Sequence, residues 1–335
     1  MANITETIKT VFPTAKVAII GDIVADQYLN GTISRVSREA PVFILRHDQT
    51  TTLPGAAANA AANVASLGAN ACIVGVIGND ANGKLLLERM TEFGVDVASV
   101  VVADAVSTTT KVRILAGQQH AARQQVIRVD YEHGAPYADA TRRELMDNAV
   151  AAVRSADAVI FSDYNYGAAD AEIFEAVRMA AAERQIPILV DSRFRLQKFC
   201  GASSATPNQD EVEQILGPGF GDEACERLRD ELGLESLLVT NGNKGMTLIE
   251  RGREPQHIDA VGSDQAVDVT GAGDTVIAAF ALGLASGLGH FDAAKLANHA
   301  GGIVVMKKGT AAVTPDELIA SVNSVATNEI LSSNA

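Results

Sequence analysis

The sequence predicts a doubly wound α/β fold, a mostly parallel sheet with helices on both faces and a small β-sheet lid over the carboxyl ends of its strands. Three observations predict it. Short β-branched apolar runs recur, each the length of a strand buried on both faces. Alanine-rich segments of helical periodicity separate several of them. Two further stretches, 26–53 and 94–114, hold strand-like pieces and turn residues but no helical pattern.

The first strand is Lys16–Gly21, KVAIIG, an apolar run that ends in glycine. Runs at 71–77, 158–162, 186–191 and Ser236–Thr240 read the same way. Helices are expected at 55–68, 83–94, 141–153, 169–184 and 222–233, three of them stopping at a glycine that can adopt the left-handed C-cap conformation. The segment 271–307 reads as two helices broken near 287–290. Strands reaching out from 26–53 and 94–114 would form the lid, covering the edge where doubly wound folds bind ligands. No repeat, low-complexity tract or linker divides the chain, so residues 1–335 are read as one domain.

The 335 residues are 47% hydrophobic and 4% aromatic, with no tryptophan, which suits layered packing of helices on a sheet. A net charge of -14 gives the long-range field the wrong sign for nucleic acid or an anionic membrane, so neither is expected as a partner. An anionic ligand must be held by local groups. The stretch 111–128 carries Lys111, Arg113, Arg123 and Arg128 without an acidic residue, either a solvated strand face or an anion-binding surface. Cys72, Cys200 and Cys225 are odd in number and lack metal-ligand spacing, and the amino terminus lacks the pattern of a signal peptide. A reducing cytoplasm is expected, with no membrane span.

The stretch that carries chemistry is D-V-T-G-A-G-D-T, from Asp268 to Thr275, followed by an apolar alanine-rich helix. Glycines at a helix start leave backbone N–H groups unblocked, and the helix dipole adds to their attraction for a phosphate. Gly271, Ala272 and Gly273 fit that role. Asp274 follows them, so its carboxylate would lie beside the held phosphate and within reach of an acceptor hydroxyl. Phosphoryl transfer requires positioning and charge neutralisation more than covalent participation, so an amide cradle and one carboxylate base suffice. A bare G-A-G-D could also be an ordinary capped glycine turn.

This string resembles the carboxyl-terminal motif of the ribokinase-like (PfkB-type) carbohydrate kinases, and the resemblance spans nearly the whole chain. It implies ATP as phosphoryl donor, Asp274 as catalytic base and the 271–273 amides as the anion hole. Gly55-Ala56-Ala57-Ala58-Asn59 is similar to the family's amino-terminal motif, where glycines admit the sugar to the backbone and the asparagine bonds its hydroxyls; Ala56 stands where a second glycine is usual. Asp22 and Asp26 match the aspartates that bind sugar hydroxyls after the first strand, although a strand-end turn would also place them there. Asn208 and Glu211 resemble the N-x-x-E motif that places Mg2+ through its waters, and could equally cap a helix. The resemblance further implies that Thr240, Gly242 and Gly245 line the nucleotide phosphates and ribose, that Asn298 flanks adenine, and that K+ binds near Asp268 and Thr270.

Within that family the segments 34–42, 110–113, 124–130, 268–277 and 301–309 are most similar to the members that phosphorylate carbon 1 of D-glycero-D-manno-heptose 7-phosphate. A phosphorylated substrate would account for Lys111, Arg113 and Arg128 in an acidic chain. Two departures stand against it: Tyr166 replaces a usual lysine, a lost cation that would fit another sugar or sugar phosphate, and Asp191-Ser192-Arg193 replaces Asp-Pro-Lys, although Arg193 preserves a charge. Some heptose kinases continue into an adenylyltransferase, an activity not expected here because the chain stops after its last expected helix. A dinucleotide-dependent dehydrogenase is rejected, since 21–26 reads G-D-I-V-A-D and not G-x-G-x-x-G. A noncatalytic sugar or nucleotide sensor on the same fold is the rival reading, opposed by Asp274. Val42, Phe43 and Ile44 on a lid face imply a homodimer through the lid.

Overall fold

The computed structural model describes residues 2–118, 123–262 and 265–333. In chain order its elements begin with α1 (Ala2–Thr10), β1 (Lys16–Gly21), β2 (Ile23–Val36), β3 (Phe43–Ala56), α2 (Ala57–Ser66), β4 (Asn70–Val74), β5 (Val76–Gly78) and α3 (Ala81–Glu92). Next come β6 (Val101–Ala103), β7 (Thr110–Gly117), β8 (Gln124–Tyr131), α4 (Asp139–Ser155), β9 (Ala158–Asp163), α5 (Ala171–Arg184), β10 (Ile188–Ser192), β11 (Ser204–Ala205) and α6 (Gln209–Leu216). The last are α7 (Asp222–Glu231), β12 (Ser236–Thr240), β13 (Met246–Glu250), β14 (Gln256–Ile258), α8 (Ala272–Ala285), α9 (His290–Val304) and α10 (Pro315–Ser333).

The main sheet has the order β14-β13-β12-β11-β10-β9-β1-β4, parallel from β4 to β12 and antiparallel at the β12-β13-β14 edge. Strand periodicity divides the core. Val17 and Ile19 of β1 join the cluster packed by α1, α2, α3, α8, α9 and α10, while Ala18 and Ile20 join the cluster packed by α4, α5, α6 and α7. The expected strand at 71–77 is broken at Gly75, where an added Cβ would lie 2.5 Å from the Gly21 carbonyl oxygen, so β4 and β5 belong to different sheets. Among the described residues no helix is long and apolar enough to cross a membrane.

The lid is a four-stranded sheet, β3-β2-β7-β8, with β2 and β7 parallel and the outer pairs antiparallel. Its boundaries correct the expectation from sequence. Residues 94–109 do not join it: β6 pairs with β5, and Val101 and Val106 are buried in the second core cluster. The fourth lid strand is instead β8, exposed along its whole length. Its sequence QQVIRVDY buries nothing, so periodicity against the core gave no signal for it.

At the junction of β3 and α2, Ala56 has φ 54° and ψ −130°, a conformation that a side chain disfavours. This is the position at which the related motif usually has glycine. Ala56→Gly is therefore expected to stabilise the fold by about 1 kcal/mol, the relief of strain exceeding the extra entropy of glycine in the unfolded chain. A thermal melt lower than that of the parent would contradict it.

Candidate active site

The site lies at the carboxyl ends of the parallel strands. Asp22 follows β1, Tyr164 follows β9 and Arg193 follows β10, while the amino end of α8 faces them across the cleft. Gly271 caps α8 with φ 77°, and a Cβ there would sit 2.4 Å from Asn59 Nδ2. Glycine is thus required both by backbone conformation and by contact.

Asp274, in the first turn of α8, is 4% exposed. Asn59 Nδ2 donates to its Oδ2 at 2.7 Å, and the Tyr164 hydroxyl donates to its Oδ1 at 2.8 Å. Burial raises its pKa from 3.8 to about 6, opposed by the bonds from Asn59 and Tyr164; Asp26 adds to the rise and Arg193 lowers it. A carboxylate poised near neutrality is suited to accept a proton from an alcohol. Of the neighbouring amides, that of Ala272 bonds the Val269 carbonyl at 3.3 Å. Those of Gly271, Gly273 and Asp274 have no acceptor among the described residues. Of the amides expected from 271–273, that of Ala272 is taken up by the tight turn before α8, and that of Asp274 is left open beside those of 271 and 273.

Asn59, expected to bond sugar hydroxyls, belongs to a buried hydrogen-bonded ladder. Its Nδ2 also approaches the Gly271 carbonyl at 3.4 Å, its Oδ1 accepts from Asn63 Nδ2 at 3.2 Å, and Asn63 Oδ1 in turn accepts from the Thr275 hydroxyl at 3.0 Å. This buried polar ladder joins α2 to α8 and fixes the Asp274 carboxylate. Asp22 is likewise occupied. Its Oδ2 accepts the amides of Tyr164 at 2.8 Å and Tyr166 at 2.9 Å, and its Oδ1 that of Ala168 at 2.8 Å. Burial raises its pKa despite these bonds. Asp22, expected to bind sugar hydroxyls, holds the loop after β9 through three backbone partners.

The basic groups separate into paired and unpaired ones. Arg113 bonds Asp26 at 2.5 Å, and Arg128 makes a bidentate pair with Asp130 at 2.9 and 3.0 Å. Gly55 packs under the first pair, where an added Cβ would be 2.6 Å from Asp26 Oδ2. Lys111, 8% exposed, has no carboxylate within ion-pair distance among the described residues. Its Nζ lies 5.7 Å from the Tyr164 ring centroid and 5.3 Å from that of Tyr166, and burial followed by repulsion from Arg193 lowers its pKa. Arg193, 5.1 Å from the Tyr164 centroid, is also without an ion pair among the described residues.

The residues expected on the nucleotide side come together. Thr240, Gly242, Gly245 and Asn298 line one pocket with Ala272 and Gly273. Gly245, with φ 87°, is forced by its approach to the Ile258 carbonyl, and Asn298 donates to the Asp259 carbonyl at 2.7 Å. Asn208 and Glu211 form a reciprocal capping box on α6, each bond 2.9 Å long. One Glu211 oxygen remains outside that box. Asp191 is held well above the ordinary carboxylate range by burial, then by Asp274 and Glu211. Among the described residues no group of three or more acidic, histidine or cysteine side chains is placed to hold a metal directly. The Glu211 oxygen left outside the capping box fits Mg2+ bound through its own waters. Asp268 accepts the amides of Thr270 and Gly309, both at 2.9 Å; these outweigh burial and lower its pKa, so it braces the turn leading to α8.

Sequence reasoning missed Tyr164 and Asn63 as members of this site, and named Asp191 and Arg193 only within a string that departs from the usual Asp-Pro-Lys. The position of Tyr164, one residue beyond the end of a parallel strand, was the available signal.

Residues 14–317 match the pfkB family of carbohydrate kinases. The chain is 40% identical over 316 residues to the bifunctional protein HldE of Chromohalobacter salexigens, and 39% identical over 317 residues to that of Shewanella piezotolerans. These alignments cover 92% and 93% of this chain but only 64% of each relative's length. Among solved structures, ribokinase of Arabidopsis thaliana complexed with ribose and ATP superposes with a TM-score of 0.70 at 22% identity, covering 91% of this chain and 97% of that one. Phosphofructokinase-2 of Escherichia coli in complex with potassium gives 0.75 at 17% identity, covering 93% and 99%.

Proposed function

Because the chain belongs to the pfkB family of carbohydrate kinases, we propose that it transfers the γ-phosphoryl group of ATP to a hydroxyl of a sugar phosphate, with carbon 1 of D-glycero-D-manno-heptose 7-phosphate the leading acceptor. The observation that carries this reading is the position of Asp274 beside unoccupied amides and next to Gly273, which lines the pocket that would take the nucleotide. The acceptor hydroxyl donates its proton to Asp274 as its oxygen bonds to the γ-phosphorus. The bond from phosphorus to the bridging oxygen breaks, and ADP leaves. The amides of Gly271, Gly273 and Asp274 face the charge carried by the transferring group. Mg2+ would be held through water by Glu211 with Asn208, neutralising phosphate charge; K+ near Asp268 and Thr270 would stiffen the same turn.

Lys111 and Arg193 support a phosphorylated acceptor. Two cations without carboxylate partners repel one another beside the acceptor side of Asp274, and a phosphate dianion would relieve that repulsion. The similarity of the lid segments to heptose 7-phosphate kinases supports the particular sugar. ADP release measured with Mg2+ on a panel of sugars and sugar phosphates tests both points. The heptose 7-phosphate should be turned over best, and Lys111→Met should lower kcat/KM for it by about 100-fold while changing that for an unphosphorylated sugar little. Equal losses on both would remove the phosphate assignment, and binding of sugars without ADP release would favour a sensor.

We further propose a cytoplasmic homodimer paired through the lid. Val36, Phe43, Val126, Ile127 and Tyr131 on that sheet and Val42 in the turn before β3 are all more than half exposed, and the three cysteines are free. A monomeric mass by light scattering would rule the dimer out.

A further inference from the structure

We infer that Tyr164 is a positioning residue for Asp274, orienting the carboxylate and keeping it ionised through the hydroxyl bond while the lid holds the ring in place. This rests on Asp274 being the base. The backbone of Tyr164 is tied to the body of the fold by its amide bond to Asp22, and its hydroxyl reaches Asp274 Oδ1 at 2.8 Å. Asn59 holds the other oxygen, so the carboxylate is pinned at both ends and its rotation is removed before substrate arrives. Each oxygen retains a lone pair, and an acceptor hydroxyl can approach without displacing either donor.

The ring is placed by cations from two separate parts of the fold. Lys111 belongs to β7 of the lid, Arg193 to the loop after β10 in the main sheet. Lys111 also contacts Tyr166, whose hydroxyl donates to Glu132 just beyond β8 at 3.1 Å. The departure from lysine at 166 thus gives a second contact between the loop after β9 and the lid region. Movement of the lid would withdraw Lys111 from the ring that orients the base.

Burial and the nearby Asp274 and Asp191 carboxylates keep the Tyr164 phenol protonated, so it acts toward Asp274 only as a donor. The groups facing Asp274 are Asn59 from α2, Asp26 from β2, Tyr164 from the loop after β9, and Asp191 and Arg193 from the end of β10 and the loop beyond it. Of these, Asn59, Tyr164 and Arg193 favour the ionised form. Removing the Tyr164 donor should therefore move the acid limb of the kinase pH profile upward.

The test compares Tyr164→Phe, Asp274→Asn and the parent by pH profiles of kcat and by KM for each substrate. Tyr164→Phe should lower kcat roughly 10- to 100-fold, leave the KM for ATP unchanged and shift the acid limb up by about one pH unit. Site-specific 3-fluorotyrosine at 164, a stronger donor of nearly the same shape, should shift the limb downward. A Tyr164→Phe limb superimposed on that of the parent, or a fluorotyrosine shift in the same direction as the phenylalanine shift, overturns the inference. In either of those cases an inactive Asp274→Asn leaves Asp274 standing as the base, whereas an active one removes that premise and the inference with it.

Discussion

Asp274→Asn should lose turnover by at least about 10³-fold and yet melt at a higher temperature than the parent. The first effect follows from removal of the carboxylate proposed to accept the hydroxyl proton. The second follows from linkage. Folding raises the Asp274 pKa from 3.8 to about 6, so between those values the folded state binds more protons than the unfolded one. This contribution to stability is largest below pH 4 and is lost as pH rises through 6. At pH 7.5 the buried carboxylate costs about 3 kcal/mol. Asparagine avoids that cost but can accept only one of the two bonds from Asn59 and Tyr164, a loss of roughly 1 to 2 kcal/mol. The net gain is about 1 to 2 kcal/mol, or roughly 2 °C in Tm for a chain of this size. Melts at pH 7.5 and pH 5 should show the advantage shrinking at the lower pH. Turnover within tenfold of the parent, or a lower Tm at pH 7.5, would contradict the assignment.

Gly271→Ala should damage folding and activity together, whereas Gly273→Ala should leave the fold intact. At 271 the backbone has φ 77°, which costs an L-residue about 1 to 2 kcal/mol, and the added methyl would lie 2.4 Å from Asn59 Nδ2. Asn59 must then move, breaking its bond to Asp274. The expected loss is about 2 to 4 kcal/mol of stability and at least about 100-fold in kcat. At 273 a Cβ meets nothing within 4 Å, so the melt should be unchanged while the methyl crowds the phosphate approach and raises the KM for ATP. Paired melting and kinetic measurements separate the two. Equal stability of Gly271→Ala and the parent would mean that Asn59 has room to give way.

Activity of the parent should fall about tenfold for each pH unit below about 6, as Asp274 takes up a proton. The same limb is the reference against which the Tyr164 variants are read.

The parts of the molecule that were legible from residue order are those governed by short-range physics. The runs Lys16–Gly21 and Ser236–Thr240 match their strands to the residue, because a strand buried on both faces has to be continuously apolar. The glycine turn before α8 was legible because a positive φ and a close contact both require glycine. The α6 cap was legible as one of two readings, and the capping box is present. By contrast β8 faces solvent throughout, and 94–109 was misplaced because its apolar residues serve the core clusters of the main sheet, Val95 in the first and Val101 and Val106 in the second.

Residue order therefore determined the layered fold, the amide-bearing turn and the carboxylate next to it. Only tertiary structure decided which partners those groups have. Asn59 and Asp274 are 215 residues apart, yet the packing of α2 on α8 makes one the holder of the other. Arg113 and Arg128 are neutralised by Asp26 and Asp130, while Lys111 in the same basic stretch keeps an unpaired charge beside Tyr164. Charge compensation depends on distances across the folded chain, and those are set by how distant segments pack and not by what lies next to each residue in order.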